Sequence, residues 1–213
     1  MRTDDLIELL STGAAPVERG VAARRFGTAL PLAVLGSGLL MVSVFGVRPD
    51  LHSVARTALF WAKFAFALCI ALGALLAASR LARPGATIGA AWPLIVMPVV
   101  LVWIAGVVIV GTASPPDRLP LILGHSWRAC PFNILLLAVP GFVAVVYAVK
   151  GLAPTRLRLA GTAAGLLAGS IALVAYCFHC PEMSPAFWSI WYVLGMALSS
   201  AIGALLGPTL LRW

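Results

Sequence analysis

Charge is what this chain has least of. Of 213 residues 10% are charged and 7 are acidic, while 62% are hydrophobic and the mean hydropathy is +1.02. A water-soluble domain of this size carries charges on roughly a quarter of its residues. That coat is missing, so the solvent of most of this surface is lipid. Acidic groups are also missing from the apolar runs: Asp4, Asp5, Glu8, Glu18, Asp50, Asp117 and Glu182 all lie outside them. Pumps and ion-coupled transporters need ionisable groups at membrane depth to carry the coupling charge, so this absence argues against one. A cleavable leader is not expected either. It has a short basic start and an apolar stretch of about 7–15 residues, whereas the first apolar run here is longer and follows a long, partly acidic segment.

What is present is a set of apolar runs. A hydrocarbon layer about 30 Å thick takes about 20 apolar residues per helix, and six runs meet that length, at about 26–46, 60–79, 91–112, 131–149, 158–177 and 187–207. The expected fold is an all-α integral membrane protein of six transmembrane helices. Residues 1–25 form a separate N-terminal segment, and 26–213 form one bundle with short connections.

Basic residues set the orientation. With the N-terminus inside, Arg2, Arg19, Arg24, Arg25, Arg80, Arg83, Lys150, Arg156, Arg158 and Arg212 lie on the inner side, and Arg48, Arg56, Lys63, Arg118 and Arg128 on the outer. That is ten against five, and Lys and Arg gather on the cytoplasmic side of membrane proteins. Both termini are therefore expected in the cytoplasm. The net charge of +8 reads as topology signal, with no direct nucleic-acid binding. Lys63 stands a few residues inside the second run, where a long side chain can snorkel to the interface. Trp61, Trp92, Trp127, Trp188, Trp191 and Trp213 fall near run ends, as an interfacial aromatic belt would place them.

Between lipid-exposed helices, association rests on close packing of small residues. Gly161, Gly165 and Gly169 repeat at four-residue spacing on one face, and Gly203 and Gly207 repeat the pattern in the sixth run. Tight packing of the fifth and sixth spans is expected.

The unusual chemistry concentrates on the outer side, in "PDRLPLILGHSWRACPFN" and "CFHCPEMSPAFWSIWY". Cys177 and Cys180 form a CxxC motif. Covalent haem needs a His directly after the second Cys, and Pro181 stands there. A redox dithiol of the thioredoxin kind uses a helix N-terminus to stabilise its thiolate, whereas this pair sits at a helix C-terminus, whose partial negative charge opposes one. Cys130 and Cys180 each flank a span on the same side, each followed by proline, and in an oxidising compartment they can be bridged. His125, Cys130, His179 and Cys180 together also make a set that suits zinc or another soft metal. Spacing does not separate disulfide, metal site and plain packing. Cys69, in mid-span, is expected to be a buried apolar residue.

The N-terminal "TDDLIELLSTGAAP" is the other informative stretch. Thr3 is the expected N-cap, with Asp4 and Asp5 in the first turn. Leu6, Ile7, Leu9 and Leu10 give an apolar side, and Gly13 and Pro16 end the helix. So short a helix is marginal alone in water. It suits docking into a partner's groove, and its acidic turn disfavours anionic lipid.

"MRTDDLIELL", "GVRPDL", "FWAKF", "RLARPGA", "LGHSWRAC", "LAPTRLRLAG", "HCPEMSPAFW", "WYVLG" and "GPTLLRW" occur in this order along the whole chain. Together they resemble the six-span bacterial anti-sigma factors of the NrsF type (negative regulator of sigma F), with GHSWxxC and HCPExSPxF the most specific elements. The resemblance implies a multi-pass inner-membrane regulator that holds an extracytoplasmic-function sigma factor through a cytoplasmic segment similar to residues 2–17. It further implies that Cys130 and Cys180 sense oxidants or heavy metals in the periplasm and release the sigma factor, and that Cys177 is incidental. It implies no enzyme activity and no resident cofactor beyond the metal that the outer Cys/His set suits. Two other readings stand beside it: a membrane thiol oxidoreductase using Cys177 and Cys180, and a small metal or solute transport protein.

Overall fold

The structure, a computed structural model, describes residues 3–12 and 20–212. Among these the chain is helical, without strands. Its elements are α1 (Thr3–Thr12), α2 (Val21–Val44), α3 (Leu51–Val54), α4 (Ala58–Leu81), α5 (Ala91–Thr112), α6 (Pro115–Leu123), α7 (Cys130–Lys150), α8 (Leu157–Tyr176), α9 (Pro185–Phe187) and α10 (Val193–Leu210), with a π-helical turn at Trp188–Tyr192 joining the last two. Six helical stretches are long and apolar enough to cross a membrane: α2, α4, α5, α7, α8 and the continuous Pro185–Leu210. They match the six apolar runs to within a few residues. The largest difference is at α2, which starts at Val21 because Gly20, at φ 88, turns the chain into it.

Local chemistry explains the other boundaries. Gly46, at φ 75, closes α2 by donating its N–H to the Met41 carbonyl, the left-handed glycine stop of a helix C-terminus. The Thr57 hydroxyl accepts the Phe60 N–H and caps α4. Proline opens α6 and α9 and follows the first residue of α7, where its missing N–H costs nothing.

The bundle is centred on α8, of whose 20 residues 13 are buried. Helices α2, α4, α7 and α10 pack around it, while α5 lies outermost, with Ala91 and Gly106 its buried residues. Two apolar clusters fill the interior. One joins Phe26, Leu81, Ala91, Val149, Ala160 and Leu211, at the end where the long helices begin and finish the chain. The other joins Met41, Phe66, Cys130, Tyr176, Cys177, Cys180, Phe187 and Tyr192, at the opposite end. Start of α2 and end of α10 thus share one end, and three of the four cysteines share the other.

The contact of α8 with α10 is made backbone to backbone. A methyl at Gly161 would land on the Gly203 carbonyl, one at Gly165 on the Ser199 carbonyl, and one at Gly203 on the Gly161 carbonyl. The Ser200 hydroxyl, donating to the Thr162 carbonyl at 3.1 Å, adds a polar tie. Ser37 makes the equivalent bond from α2 to the Leu137 carbonyl of α7 at 2.9 Å. The glycine spacing of the fifth and sixth spans therefore has the packing role expected of it.

Two expectations change. Cys69 is half-buried and lines an apolar groove between α4 and α5 with Phe66, Leu94 and Met97. Its position in mid-span predicts depth in the bilayer, not which way the helix turns it. Trp61 and Trp92 face outward as a belt residue would, but Trp188 is 2% exposed. It packs into the apolar cluster, and its indole N–H donates to the Glu182 carbonyl at 3.1 Å.

Gly203→Leu is expected to abolish the α8–α10 contact, since overpacking costs roughly 1–3 kcal/mol even where side chains can yield and here backbone blocks the way. Gly38→Ala, in open space, is expected within about 0.5 kcal/mol of the parent. Unfolding midpoints of both variants in one detergent would check this; equal midpoints would refute the close approach.

Candidate functional site

The site lies at the cysteine-bearing end and is organised around residues 177–184, which connect α8 to α9. This strap folds back over the bundle because Cys180 N–H still donates to the Tyr176 carbonyl at 2.9 Å, extending α8 by one turn before Pro181 stops it. The Cys180 and Glu182 carbonyls are thereby turned inward. Both accept from the Lys63 ammonium of α4, at 2.9 and 3.0 Å.

Lys63 is 0% exposed, which corrects the expectation that it snorkels to the interface. A lysine can only snorkel along an open helix face, and here the strap closes over it. Its Nζ also stands over the Tyr192 ring, 5.4 Å from the centroid. A buried charge demands such acceptors, since the penalty of leaving it unpaired is several kcal/mol.

Arg48, in the connection after α2, holds the strap from another side. Its N–H donates to the Phe178 carbonyl at 3.1 Å and its Nη1 to the Cys180 carbonyl at 3.2 Å. The rest of the guanidinium is fixed by both Asp50 oxygens, at 2.7 and 2.8 Å. That bidentate geometry holds the Asp50 carboxyl below its ordinary pKa, the hydrogen bond from Arg48 being the main cause. The His179 ring Nδ1 meets the Gly46 carbonyl at 3.0 Å.

Glu182 makes the third attachment. Its Oε1 accepts from the N–H groups of His125 and Ser126 at 2.6 and 3.1 Å and from the Ser126 hydroxyl at 3.3 Å. Gly124, at φ 54, makes this turn possible, because a side chain there would collide with the Glu182 carboxylate.

Cys130, first residue of α7, and Cys180 are both fully buried in the same cluster and both are free thiols. The Ser126 hydroxyl lies 4.0 Å from the Cys180 Sγ. Asn133 donates to the Tyr176 hydroxyl at 3.2 Å, and the Tyr192 hydroxyl is buried without a hydrogen-bond partner among the described residues. Cys177 is equally buried at the end of α8. The four-residue Cys/His set is not gathered. The His125 side chain is fully exposed, its Nδ1 3.9 Å from Glu182, and the His179 ring is engaged with Gly46. Among the described residues no group of three or more His, Cys, Asp or Glu is arranged to hold a metal ion.

At the N-terminus Thr3, the expected N-cap, lies within α1, which carries Asp4 and Asp5 in its first turn. Gly13 and Pro16 lie outside the described residues, as does the side chain of Leu10. At 100° per residue, Leu6, Ile7 and Leu9 share one side of α1, while Asp4, Asp5 and Glu8 share the other. The apolar side is open, with Ile7 60% and Leu9 69% exposed. The hydroxyls of Ser11 and Thr12 fold back on the Glu8 carbonyl at 2.9 and 3.0 Å and close the helix end.

Sequence reasoning missed Lys63 and Arg48 as members of the site. Their signal was present: they lie in "FWAKF" and "GVRPDL", and these stretches meet "LGHSWRAC" and "HCPEMSP" at the strap.

Known proteins resemble the chain along its whole length. The family model described as negative regulator of sigma F matches residues 10–213. The probable anti-sigma-F factor NrsF of Azospira oryzae is 44% identical over 213 residues, covering all of both chains. The anti-sigma-F factor NrsF of Caulobacter vibrioides is 36% identical over 216 residues, again covering both fully. No solved structure matches. The chain belongs to the negative regulator of sigma F family.

Replacing Glu182 by alanine leaves two backbone donors of the 125–126 turn unanswered and is expected to cost about 2 kcal/mol, the range of a lost hydrogen bond to a charged group. His125→Ala removes an exposed ring and is expected to cost less than about 0.5 kcal/mol. Denaturant unfolding of the two variants checks the difference; equal stabilities would mean that the carboxylate does not hold the turn.

Proposed function

We propose that this protein is a membrane-bound anti-sigma factor of the bacterial inner membrane. It holds an extracytoplasmic-function sigma factor through its N-terminal segment and releases it when outer cysteines are modified. The observation that carries the anti-sigma role is the end-to-end similarity to two proteins named anti-sigma-F factors. The partner assignment is supported by α1, whose open apolar side and acidic side suit insertion into a basic-rimmed groove. Orientation follows from the ten-to-five excess of basic residues, which puts both termini in the cytoplasm and the cysteine-bearing end outside.

In this reading Cys130 and Cys180 are the sensors. They flank different spans yet share one buried cluster, so a bond between them would join the strap to the first turn of α7. Oxidation removes two electrons and two thiol protons, which pass to the oxidant as the S–S bond forms. A soft metal ion that captures both thiols would pull the same two elements. Disulfide geometry requires Cα atoms within about 7 Å, and such a bond contributes roughly 2–4 kcal/mol. A shift between mostly bound and mostly released takes about 5.5 kcal/mol of differential stabilisation, the same order. The protein acts as a regulator and not as an enzyme. The CxxC pair sits at the C-terminal end of α8, whose partial negative charge opposes the thiolate that exchange chemistry needs.

Serine at Leu6, Ile7, Leu9 and Leu10 together is expected to abolish co-purification of the cognate sigma factor while membrane insertion persists. Retained co-purification would sink the tail assignment. Cys130→Ser and Cys180→Ser are each expected to bind the sigma factor but not to release it under oxidant or soft metal, whereas Cys177→Ser responds normally. A normal response of both outer variants, read from sigma-dependent transcription, would remove the switch. A cytoplasmic reporter fused after Trp213 is expected to be active, and a periplasmic one inserted near Pro115; the reverse pattern would overturn the orientation.

A further inference from the structure

We propose that Lys63 and Arg48 are positioning residues that couple the Cys180 strap to α2 and α4, making α2 the element that carries strap movement to the N-terminal segment. Three observations meet here. The first is the burial of an ammonium. Lys63 is fully buried on a membrane-spanning helix, yet its hydrogen bonds go to two main-chain carbonyls of the strap, Cys180 and Glu182. The Glu182 carboxylate points away from it, to the amides of His125 and Ser126. A packed apolar residue would fill this place at lower cost, and an ionisable group at membrane depth points to function by default. What the lysine adds over an apolar side chain is dependence on where the strap carbonyls stand.

The second observation is that the Cys180 carbonyl is shared. Lys63 and Arg48 both donate to it, at 2.9 and 3.2 Å, so any displacement of Cys180 acts on α4 and on the 46–50 connection at once. The third is continuity. Arg48 N–H on the Phe178 carbonyl and His179 on the Gly46 carbonyl tie the strap directly to the end of α2. Helix α2 then runs from Val44 to Val21, with Pro31 inside it, next in sequence to the segment that bears α1. By contrast α8 and α10 are locked backbone to backbone by glycine, so a strap held to α2 and α4 moves those helices before it can separate that pair.

The coupling is independent of the sensing reading in its first test and rests on it only in the second. The full-length protein in lipid nanodiscs is followed by hydrogen exchange, with Lys63→Met, Lys63→Arg and Arg48→Met as variants. Lys63→Met, though its change lies on α4, is expected to speed exchange of peptides 46–50 and 177–184 roughly tenfold or more, because two hydrogen bonds from a charged donor are lost. The centre of α8 should stay unchanged and Lys63→Arg should restore protection. Should Lys63→Met fail to insert, Arg48→Met, whose site is at the bundle's edge, is expected to give the same signature. Exchange that rises only within the substituted element, or not at all, overturns the proposal.

In the second test the proteins are treated with diamide, whose N=N bond takes up the two electrons and two protons of the thiols to give the hydrazine and the S–S bond. Mass spectrometry reports the bond. In the unsubstituted protein bond formation is expected to change exchange at 46–50 and release the sigma factor. In Arg48→Met the bond should form to the same extent while release is lost, a separation that general destabilisation does not give. Release by Arg48→Met equal to that of the parent overturns the coupling. Bond formation that alters 46–50 in the parent but leaves the sigma factor bound overturns the sensing reading alone.

Discussion

A lysine buried among membrane helices must find acceptors, and Lys63 finds them in the Cys180 and Glu182 carbonyls. Much of the cysteine-bearing end follows from that need. The strap has to fold back over α4 to supply the carbonyls, and Pro181 ends the helical turn after α8 so that it can. Once folded back, the strap brings Cys180 into the cluster that holds Cys130, places the Glu182 carboxylate against the 125–126 amides, and presents the Cys180 carbonyl to Arg48. Four separate stretches of chain meet through backbone groups, an arrangement in which a small shift at one is felt by the others.

The two ends of the bundle are held by different means. Around α8 and α10 the contact is dispersion between bare backbones, insensitive to charge or oxidation and destroyed by a single added methyl. At the strap the contact is polar, between a handful of charged side chains and carbonyls inside an apolar setting, where each bond is strong and each loss expensive. A rigid seam beside a polar latch is the division of labour that a switch across a membrane requires. The latch is where chemistry can act, and the seam keeps the bundle intact while it does.

How much of this could be read from the sequence depends on how local each feature is. The six spans were visible because lipid as solvent dictates apolar length, and the glycine faces because four-residue spacing fixes a helix side. The sharing of one end by Cys130 and Cys180 followed from counting spans. Lys63 was misplaced because its burial is decided by residues 180–182, well over a hundred positions away, and nothing in "FWAKF" announces that a strap will cover it. Of His125, Cys130, His179 and Cys180, the two thiols share one cluster while the two rings meet Glu182 and Gly46, contacts that spacing along the chain does not announce. Trp188 is buried and not at the interface, because its indole N–H finds the Glu182 carbonyl of the strap, a contact that no hydropathy pattern encodes. The quoted motifs were the better guide: four of them converge on the strap, although their order along the chain does not say so.

The most direct test is a simultaneous reading of chemistry and partner. The full chain and its cognate sigma factor, held together in lipid nanodiscs, are titrated with diamide while the Cys130–Cys180 bond and the bound sigma factor are both quantified. Release in proportion to bond formation, reversed by dithiothreitol, is the result expected of a cysteine-gated anti-sigma factor. Complete bond formation with the sigma factor still bound would contradict it.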